Sequence, residues 1–475
     1  MEPDPSDAGL AVRSLAGRWV VFATILGSAL ASVDATVVTI ALPDIGRDLD
    51  ASFAGAQWTV TGYTLTLAAL ILLSGAAGDR FGRRRVFVLG VVWFTAASVL
   101  CAASPTIEVL IGARVLQGVG GALLTPSSLA IIQAVFRPAD RGAAVGTWAG
   151  FSGVAGAIAP LLGGWLLDVG GWQWIFLMNV PLAAAVVVIA LRHIPETRDE
   201  GESGALDWAG AAATVVFLGA GTYAVIAAGS AGHATEITAG AVVTVLGLLA
   251  FVAIERRARQ PLLPLGLFRL RLFCAANGVT FIVYAALGVF FFILVLQLEV
   301  VAGWAPLVAG ASTIPVTVIT LLFSRHSGAL AQRIGPRLPM SAGPLVCAVG
   351  ILLSLRTGTE TSYLTDVLPA VVVFGIGLAI MVAPLTATAI GALPSAHAGL
   401  ASGVNNAVAR SASLLAIAAI PVVAGLTGRA LEDPARFDDG FRLSAYVCAG
   451  LLVAGGALAA AAIRRPEESP GFPVV

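Results

Sequence analysis

From Arg18 onward the chain reads as apolar runs of about 20 residues, broken by short stretches rich in arginine, acid, proline or glycine. A run of that length crosses the hydrocarbon of a bilayer as an α-helix rising about 1.5 Å per residue. The first six runs are 18–42, 56–77, 86–104, 106–134, 142–168 and 174–192. After the charged break RHIPETRDEGESG come 207–228 and 236–255, then 271–297, 305–324, 338–355, 364–390, 398–427 and 441–463. The pattern predicts an all-α integral membrane protein with fourteen transmembrane helices.

The arginines orient it. With the amino terminus inside, about 20 of them fall on cytoplasmic segments and about five outside, as the positive-inside rule requires. Both termini are then expected to be cytoplasmic. Arg114 and Arg410 lie within spans and fit neither side. The residues before Trp19 carry acids and no short apolar core with a cleavage site, so the first span is expected to be retained.

The chain also repeats itself. SGAAGDRFGRRR, 74–85, recurs as SGALAQRIGPR, 327–337, with Gly75, Arg80 and Gly82 matching Gly328, Arg333 and Gly335 at one constant offset. Gly118, Gly142 and Gly146 match Gly375, Gly399 and Gly403 at an offset slightly larger. These matches imply two six-helix halves in the same orientation, parallel repeats about an axis along the membrane normal. The offset exceeds one half by about a helical hairpin, which the seventh and eighth spans supply. The expected organisation is a cytoplasmic tail, 1–17; a six-helix half, 18–195; a linker with two inserted helices facing lipid, 196–256; a second half, 257–465; and a cytoplasmic tail, 466–475.

Composition narrows the chemistry. Apolar residues make up 58% of the 475 and charged residues 11%, with a formal net charge of zero, so nothing recruits nucleic acid. All 27 basic residues are arginine. Without lysine there is neither a phosphate-binding loop of the Gly-Lys-Ser/Thr type nor a Schiff-base enzyme. Cys101, Cys274, Cys347 and Cys448 are far apart and form no metal or redox motif, so they read as packing residues. Neither an enzyme nor a cofactor is expected.

Asp34 is the anomaly, because it lies well inside the first span. If that span exits near Leu42, Asp34 sits about 12 Å below the outer hydrocarbon surface. Arg114 on the fourth span reaches a similar depth. A lone acid there costs about 2.5–3.5 kcal/mol on insertion scales, and arginine a similar amount, so each accounts for the other. Asp34 is then either a permanently ionised partner locking two helices, or a group that takes up and releases a proton as access alternates.

The loop GDRFGRRR carries more than orienting charge. Gly75 and Gly82 are expected to permit close approach and a tight turn, and Asp79 to meet the amino end of the third span, where a helix dipole favours an acid. With Arg80 and Arg83 it would form a latch that makes in one conformer and breaks in another. The copy, with Gln332 in place of Asp79, would be weaker. In the fifth span Gly142, Gly146 and Gly150 are expected to be packing glycines, and Pro160, Gly163 and Gly164 to make a bend or sliding contact.

With these motifs in order, the chain resembles the fourteen-helix drug:proton antiporters of the major facilitator superfamily over nearly its whole length. The matching stretches are SVDATVVTIALPDI, QWTVTGYTL, GDRFGRRR, RVLQGVGGALLTPSS, the glycine–proline run of span five with WIFLMNVP, and APLTATAIGALPSAHAGLASGVNNAVAR. The resemblance implies proton coupling for Asp34 and Arg114, gating for Gly75, Asp79, Arg80, Gly82 and Arg83, and an antiport motif at Pro160, Gly163 and Gly164. The chain departs from it at Ala159, where the family has glycine, and at Trp172-Gln173-Trp174, where it has Trp-Arg-Trp. No acid lies deep in spans ten or thirteen, and Arg410 comes to about the level of Asp34, some 18 Å from the inner edge. That points to an anionic or neutral lipophile rather than a dication, unless Arg410 satisfies backbone carbonyls.

The sequence therefore reads as a monomeric exporter of small lipophilic compounds in a bacterial inner membrane, driven by inward proton flow. Candidate substrate contacts are Trp58, Tyr63, Gln117, Asn277, Tyr284, Gln297, Asn405, Asn406 and Arg410, because polar and aromatic groups within spans face protein or water. Each of these has the alternative of bonding a neighbouring helix. A proton symporter importing a solute, a lipid or metabolite exporter and a transport-dead sensor are the rival functions. The short loops weigh against the sensor.

Overall fold

Ser14 and Ser52 open the first two helices, their hydroxyls accepting from Gly17 N at 3.0 Å and Gly55 N at 3.3 Å, which satisfies amides that a helix start leaves bare. The computed structural model describes residues 9–198, 206–229, 234–258, 260–394 and 397–463. The expected carboxy-terminal tail, 466–475, the first eight residues and linker residues 199–205 lie outside them. Among the described residues, fourteen helices are long and apolar enough to span a membrane. The first eight are α1 Leu15–Asp48, α2 Phe53–Phe81, α3 Arg83–Ala102, α4 Ile107–Val135, α5 Pro138–Gly170, α6 Gln173–His193, α7 Trp208–Gly229 and α8 Ala234–Arg257. The rest are α9 Arg271–Val300, α10 Pro306–Ile334, α11 Arg337–Arg356, α12 Tyr363–Gly391, α13 Gly399–Val423 and α14 Pro434–Ala462.

Two ends differ from the apolar pattern for physical reasons. α1 passes through Pro43 and continues to Asp48, because proline removes one backbone bond without ending a helix that other turns hold. α14 begins at Pro434 rather than near 441, its polar first turns steadied by an Asp438–Arg442 pair at 2.8 Å. Hydropathy registers only the part of a helix that meets lipid.

The helices divide into two units, each with its own packing. One comprises Met1–Leu263, Trp304–Ala311 and Leu426–Asp433; the other Pro264–Gly303, Ser312–Gly425 and Pro434–Val475. In the first, α2 and α3 lie along α4, α1 lies along α5 and α6, and the α7–α8 hairpin attaches through α7 to α2. Gly118 and Gly120 bring α4 close: a Cβ on Gly118 would strike Tyr63 O and Thr66 Oγ1, and one on Gly120 would lie 2.7 Å from the Phe94 backbone. In the second unit α10 and α11 lie along α12, while α9 packs against α13 and α14. There Gly375 would meet the Val316 backbone at 3.0 Å and Gly377 the Cys347 backbone at 2.6 Å. α8 leaves Val242, Val243, Val245, Leu246, Leu248 and Leu249 exposed, an apolar face suited to lipid.

The turn glycines separate cleanly from the ordinary ones. Gly82 joins α2 to α3 at φ +106°, and Gly335 joins α10 to α11 at φ +85°. A Cβ on Gly82 would also lie 2.5 Å from Glu196 Oε1. Gly75, expected to permit close approach, does not: a Cβ there meets only Pro126 Cβ, at 3.9 Å. Gly82→Ala is therefore expected to cost about 1–3 kcal/mol and Gly75→Ala less than about 0.5. Thermal unfolding of the purified variants ranks them; equal midpoints would contradict the assignment.

Candidate functional site

Asp34 faces inward from the middle of α1, and Arg114 reaches it from α4. Each is 1% exposed, so neither charge is solvated and the two must neutralise each other. Nη1 of Arg114 donates to Asp34 Oδ2 and, at 2.6 Å, to Gln117 Oε1. Its Nε donates to the backbone carbonyl of Thr59 on α2 at 3.0 Å. The guanidinium lies 4.4 Å from the Tyr63 ring centroid and 5.8 Å from that of Phe176, two aromatic faces that favour a desolvated cation.

The second carboxylate oxygen is equally enclosed. Asp34 Oδ1 accepts from Gln117 Nε2 at 2.8 Å and from Asn179 Nδ2 on α6 at 3.3 Å. Both amides also donate to Ser98 Oγ on α3, at 2.8 and 3.2 Å. Among the described residues, every side chain that hydrogen-bonds to Asp34 does so as a donor. The arrangement fits a carboxylate, and a proton added to it leaves the Arg114 guanidinium facing a neutral acid. Five helices converge on one ionisable group.

The sequence brought Asp34 and Arg114 to one depth, and the structure joins them. Tyr63 and Gln117, expected among the substrate contacts, belong instead to this buried network, at 2% and 0% exposure. Tyr63 also donates to Ala31 O at 3.2 Å, tying α2 to α1. Asn179, Ser98, Thr59 and Phe176 were missed. Asn179 stands in the stretch WIFLMNVP, where a polar amide amid apolar residues was the available signal.

Of the remaining candidates, Asn277 and Asn405 satisfy each other across α9 and α13: Asn405 Nδ2 donates to Asn277 Oδ1 at 3.2 Å and to Thr280 Oγ1 at 2.9 Å. Gln297 is fully buried and donates to Asp438 at 2.6 Å. Trp58 on α2 and Tyr284 on α9 are half-buried, and Asn406 on α13 is exposed. Arg410 is half-buried on α13, close enough to Tyr284 for its charge to act there, and has no ion-pair partner among the described residues.

The loop between α2 and α3 corrects one expectation. The acid at the amino end of α3 is Glu196, which accepts from Arg84 N at 3.1 Å; Asp79 sits in the last turn of α2 and pairs with Arg83 at 2.7 Å. Arg80 is exposed, its guanidinium 5.4 Å from the Phe81 ring. In the second copy Gln332 and Pro336 stand where Asp79 and Arg83 do, so that ion pair has no counterpart there. The α5 glycines are corrected too. A Cβ on Gly142, Gly146 or Gly150 would meet nothing within 4 Å, so these glycines do not pack. Close packing falls farther along, where a Cβ on Gly163 would lie 2.6 Å from Val37 of α1 and one on Gly164 would strike the Leu307 backbone. Pro160 there faces Gly310.

With this geometry in place, the comparisons with known proteins decide the family. Residues 24–417 match the model of the Major Facilitator Superfamily. The chain belongs to that superfamily. Among its relatives, a puromycin resistance protein of Streptomyces alboniger is 35% identical over 426 residues, 88% of this chain and 84% of the relative. The multidrug efflux pump LfrA of Mycolicibacterium smegmatis is 31% identical over 488 residues, 94% of this chain and 96% of that one. A solved D-xylose–proton symporter shares the fold with a TM-score of 0.66 at 14% identity, covering 94% of this chain and 98% of its own. As a Major Facilitator Superfamily member the protein is a carrier rather than an enzyme. It is a multi-pass protein of the bacterial inner membrane and a secondary transporter for small solutes.

Proposed function

We propose that this transporter exports small lipophilic compounds in exchange for protons, by alternating access of two six-helix repeats between which α7 and α8 are inserted. The observation that carries the reading is the dry Asp34–Arg114 pair, in which one added proton unbalances a charge held by five helices. Such a group links protonation to helix packing, which is what coupling requires. One proton supplies about 1.4 kcal/mol per pH unit and about 2.3 kcal/mol per 100 mV, enough to sustain an outward gradient. The repeat is supported by Gly82 and Gly335, matched in sequence and alike in backbone, and by Gly118 and Gly375, each packed on the helix two before its own. The same register pairs Gly90 with Gly343, both closely packed, at 2.8 Å from Leu123 and 2.5 Å from Met381. The proposed halves are 18–195 and 257–465, with both termini cytoplasmic and the protein acting as a monomer.

Outward direction and drug-like cargo draw support from the relatives, one of which is called a puromycin resistance protein and another an efflux pump. Arg410, without an ion-pair partner among the described residues and near Tyr284, favours an anionic or neutral lipophile. Trp58, Tyr284 and Asn406 complete the proposed contacts. Arg410→Gln is expected to slow transport of anionic compounds at least about tenfold while neutral ones change little, as loss of a charge-assisted contact dictates. Equal losses for both classes would remove Arg410 from substrate selection.

Purified protein in liposomes with an interior pH dye tests the whole reading. Antiport moves protons against substrate and symport moves them with it, so the sign of the dye signal decides between export by exchange and import. No substrate-dependent proton movement with anionic, neutral or cationic lipophiles would reject both.

A further inference from the structure

At one end of the α7–α8 hairpin two carboxyl groups lie close together with no ion-pair partner among the described residues. Asp207, just before α7, accepts from Gly210 N at 2.8 Å through Oδ1, the usual work of a helix-capping acid. Glu255, in the last turn of α8, is 4% exposed, and its Oε2 accepts from the backbone amide of Leu263 at 3.1 Å. The other oxygen of each group, Asp207 Oδ2 and Glu255 Oε1, is shielded from solvent and has no hydrogen-bond partner among the described residues. Both orphaned atoms lie beside the same spot. The point where a Cβ on Gly210 would stand is 2.5 Å from Asp207 Oδ2 and 2.8 Å from Glu255 Oε1.

Glycine at 210 is what leaves room for the two acids to meet. The groups facing Glu255 are the Asp207 carboxyl from the start of α7 and the Leu263 amide from the segment that follows α8. On its own helix, Arg256 and Arg257 are exposed, and neither acid takes part in an ion pair among the described residues. Two ionised carboxylates held this way would repel, and each buried orphan acceptor would carry a desolvation cost of about 1–3 kcal/mol or more. One proton removes both penalties. It neutralises one group, whose O–H then donates to the bare oxygen of the other.

We propose that Asp207 and Glu255 form a second proton-binding site, remote in sequence and element from Asp34, which shares one proton and clasps the chain at Leu263 to the hairpin. When the shared proton leaves, two like charges remain, the carboxyls separate, and Glu255 lets go of the Leu263 amide. The segment leading into α9 is thereby released at high pH and held at low pH. This inference does not depend on the direction of transport or on Asp34.

Hydrogen–deuterium exchange on the full-length protein in lipid nanodiscs tests it directly. The stretch Pro261-Leu262-Leu263-Pro264 carries only two amide hydrogens, because proline has none, so its exchange isolates the bond in question. Rates corrected for intrinsic chemistry are measured from about pH 5 to about pH 9, the range in which buried carboxyl pairs lose a shared proton. The wild type is expected to show corrected exchange rising at least about tenfold across that range. Glu255→Gln, whose amide can donate to Asp207 and still accept from Leu263, is expected to stay slow throughout. It should also remove a carboxylic-acid carbonyl band from infrared spectra recorded at low pH. Corrected exchange that is flat with pH in the wild type would overturn the proposal. So would protection regained at high pH on adding sodium, potassium or calcium ions, which would make the ligand a metal cation. The wild-type titration decides even if the variant fails to fold.

Discussion

In Asp34→Asn, proton-driven flux is expected to fall to background while the protein remains folded in the membrane. The replacement has the shape of the original, and its carbonyl can still accept from Gln117 and Asn179. Its amide then points at Arg114, so a donor confronts a donor where an ion pair stood. Arg114 keeps Thr59 O, Gln117 Oε1 and the Tyr63 ring, which places the stability loss at the lower end of the range for a broken buried pair, about 3 kcal/mol. Proteoliposomes under an imposed pH gradient give the flux, and size-exclusion chromatography gives the folded state. Undiminished pH-driven flux in this variant would end the coupling role of Asp34.

Arg114→Ala should be the more damaging change to the fold. It strands a carboxylate at 1% exposure, opens a cavity under Tyr63 and leaves the Thr59 carbonyl without its side-chain donor. An expected loss of about 3–5 kcal/mol follows, read as a lowered unfolding midpoint in detergent. Arg114→Lys should fall between, since a point charge on a flexible stem cannot bond three acceptors and stack on a ring at once. Combining Asp34→Asn with Arg114→Gln removes both charges, so the double variant should recover stability relative to Arg114→Ala without regaining driven flux. A double variant no more stable than Arg114→Ala would mean that the buried charge was not the source of the loss.

Depth along a helix was legible in the sequence, and direction around it was not. Asp34 and Arg114 could be paired because both are charged, both lie in spans, and each residue counts a fixed rise. Gly82 was legible from its place in a polar break between two apolar runs. Asn179 and Ser98 were missed because a small polar residue within a span looks the same whether it bonds an ion pair or faces another helix. Gln117 and Tyr63 were assigned to substrate for the same reason. Hydropathy averages over the circumference, so it cannot show which azimuth closes on the carboxylate. The α5 glycines failed differently. Four-residue spacing states that one face is smooth, not that a neighbour occupies it, and Gly142, Gly146 and Gly150 face open space. Glu196 was overlooked because it sits past the end of α6 in a stretch read as linker, yet it does the work expected of Asp79.

The anchoring of Arg114 is lopsided. Its remaining hydrogen bonds run to Gln117 on its own helix and to Thr59 on α2, and the nearer of its two rings, Tyr63, is also on α2 while Phe176 of α6 stands farther off, so this cation is moored chiefly to the α2–α4 block whatever Asp34 does. Neutralising Asp34 is therefore expected to weaken the tie from α1 rather than the mooring of the arginine, leaving Tyr63 to hold Ala31 of α1. If α1, which bears the acid, is the moving part, spin labels spanning α1 and α2 should drift apart on acidification while labels spanning α2 and α4 hold station.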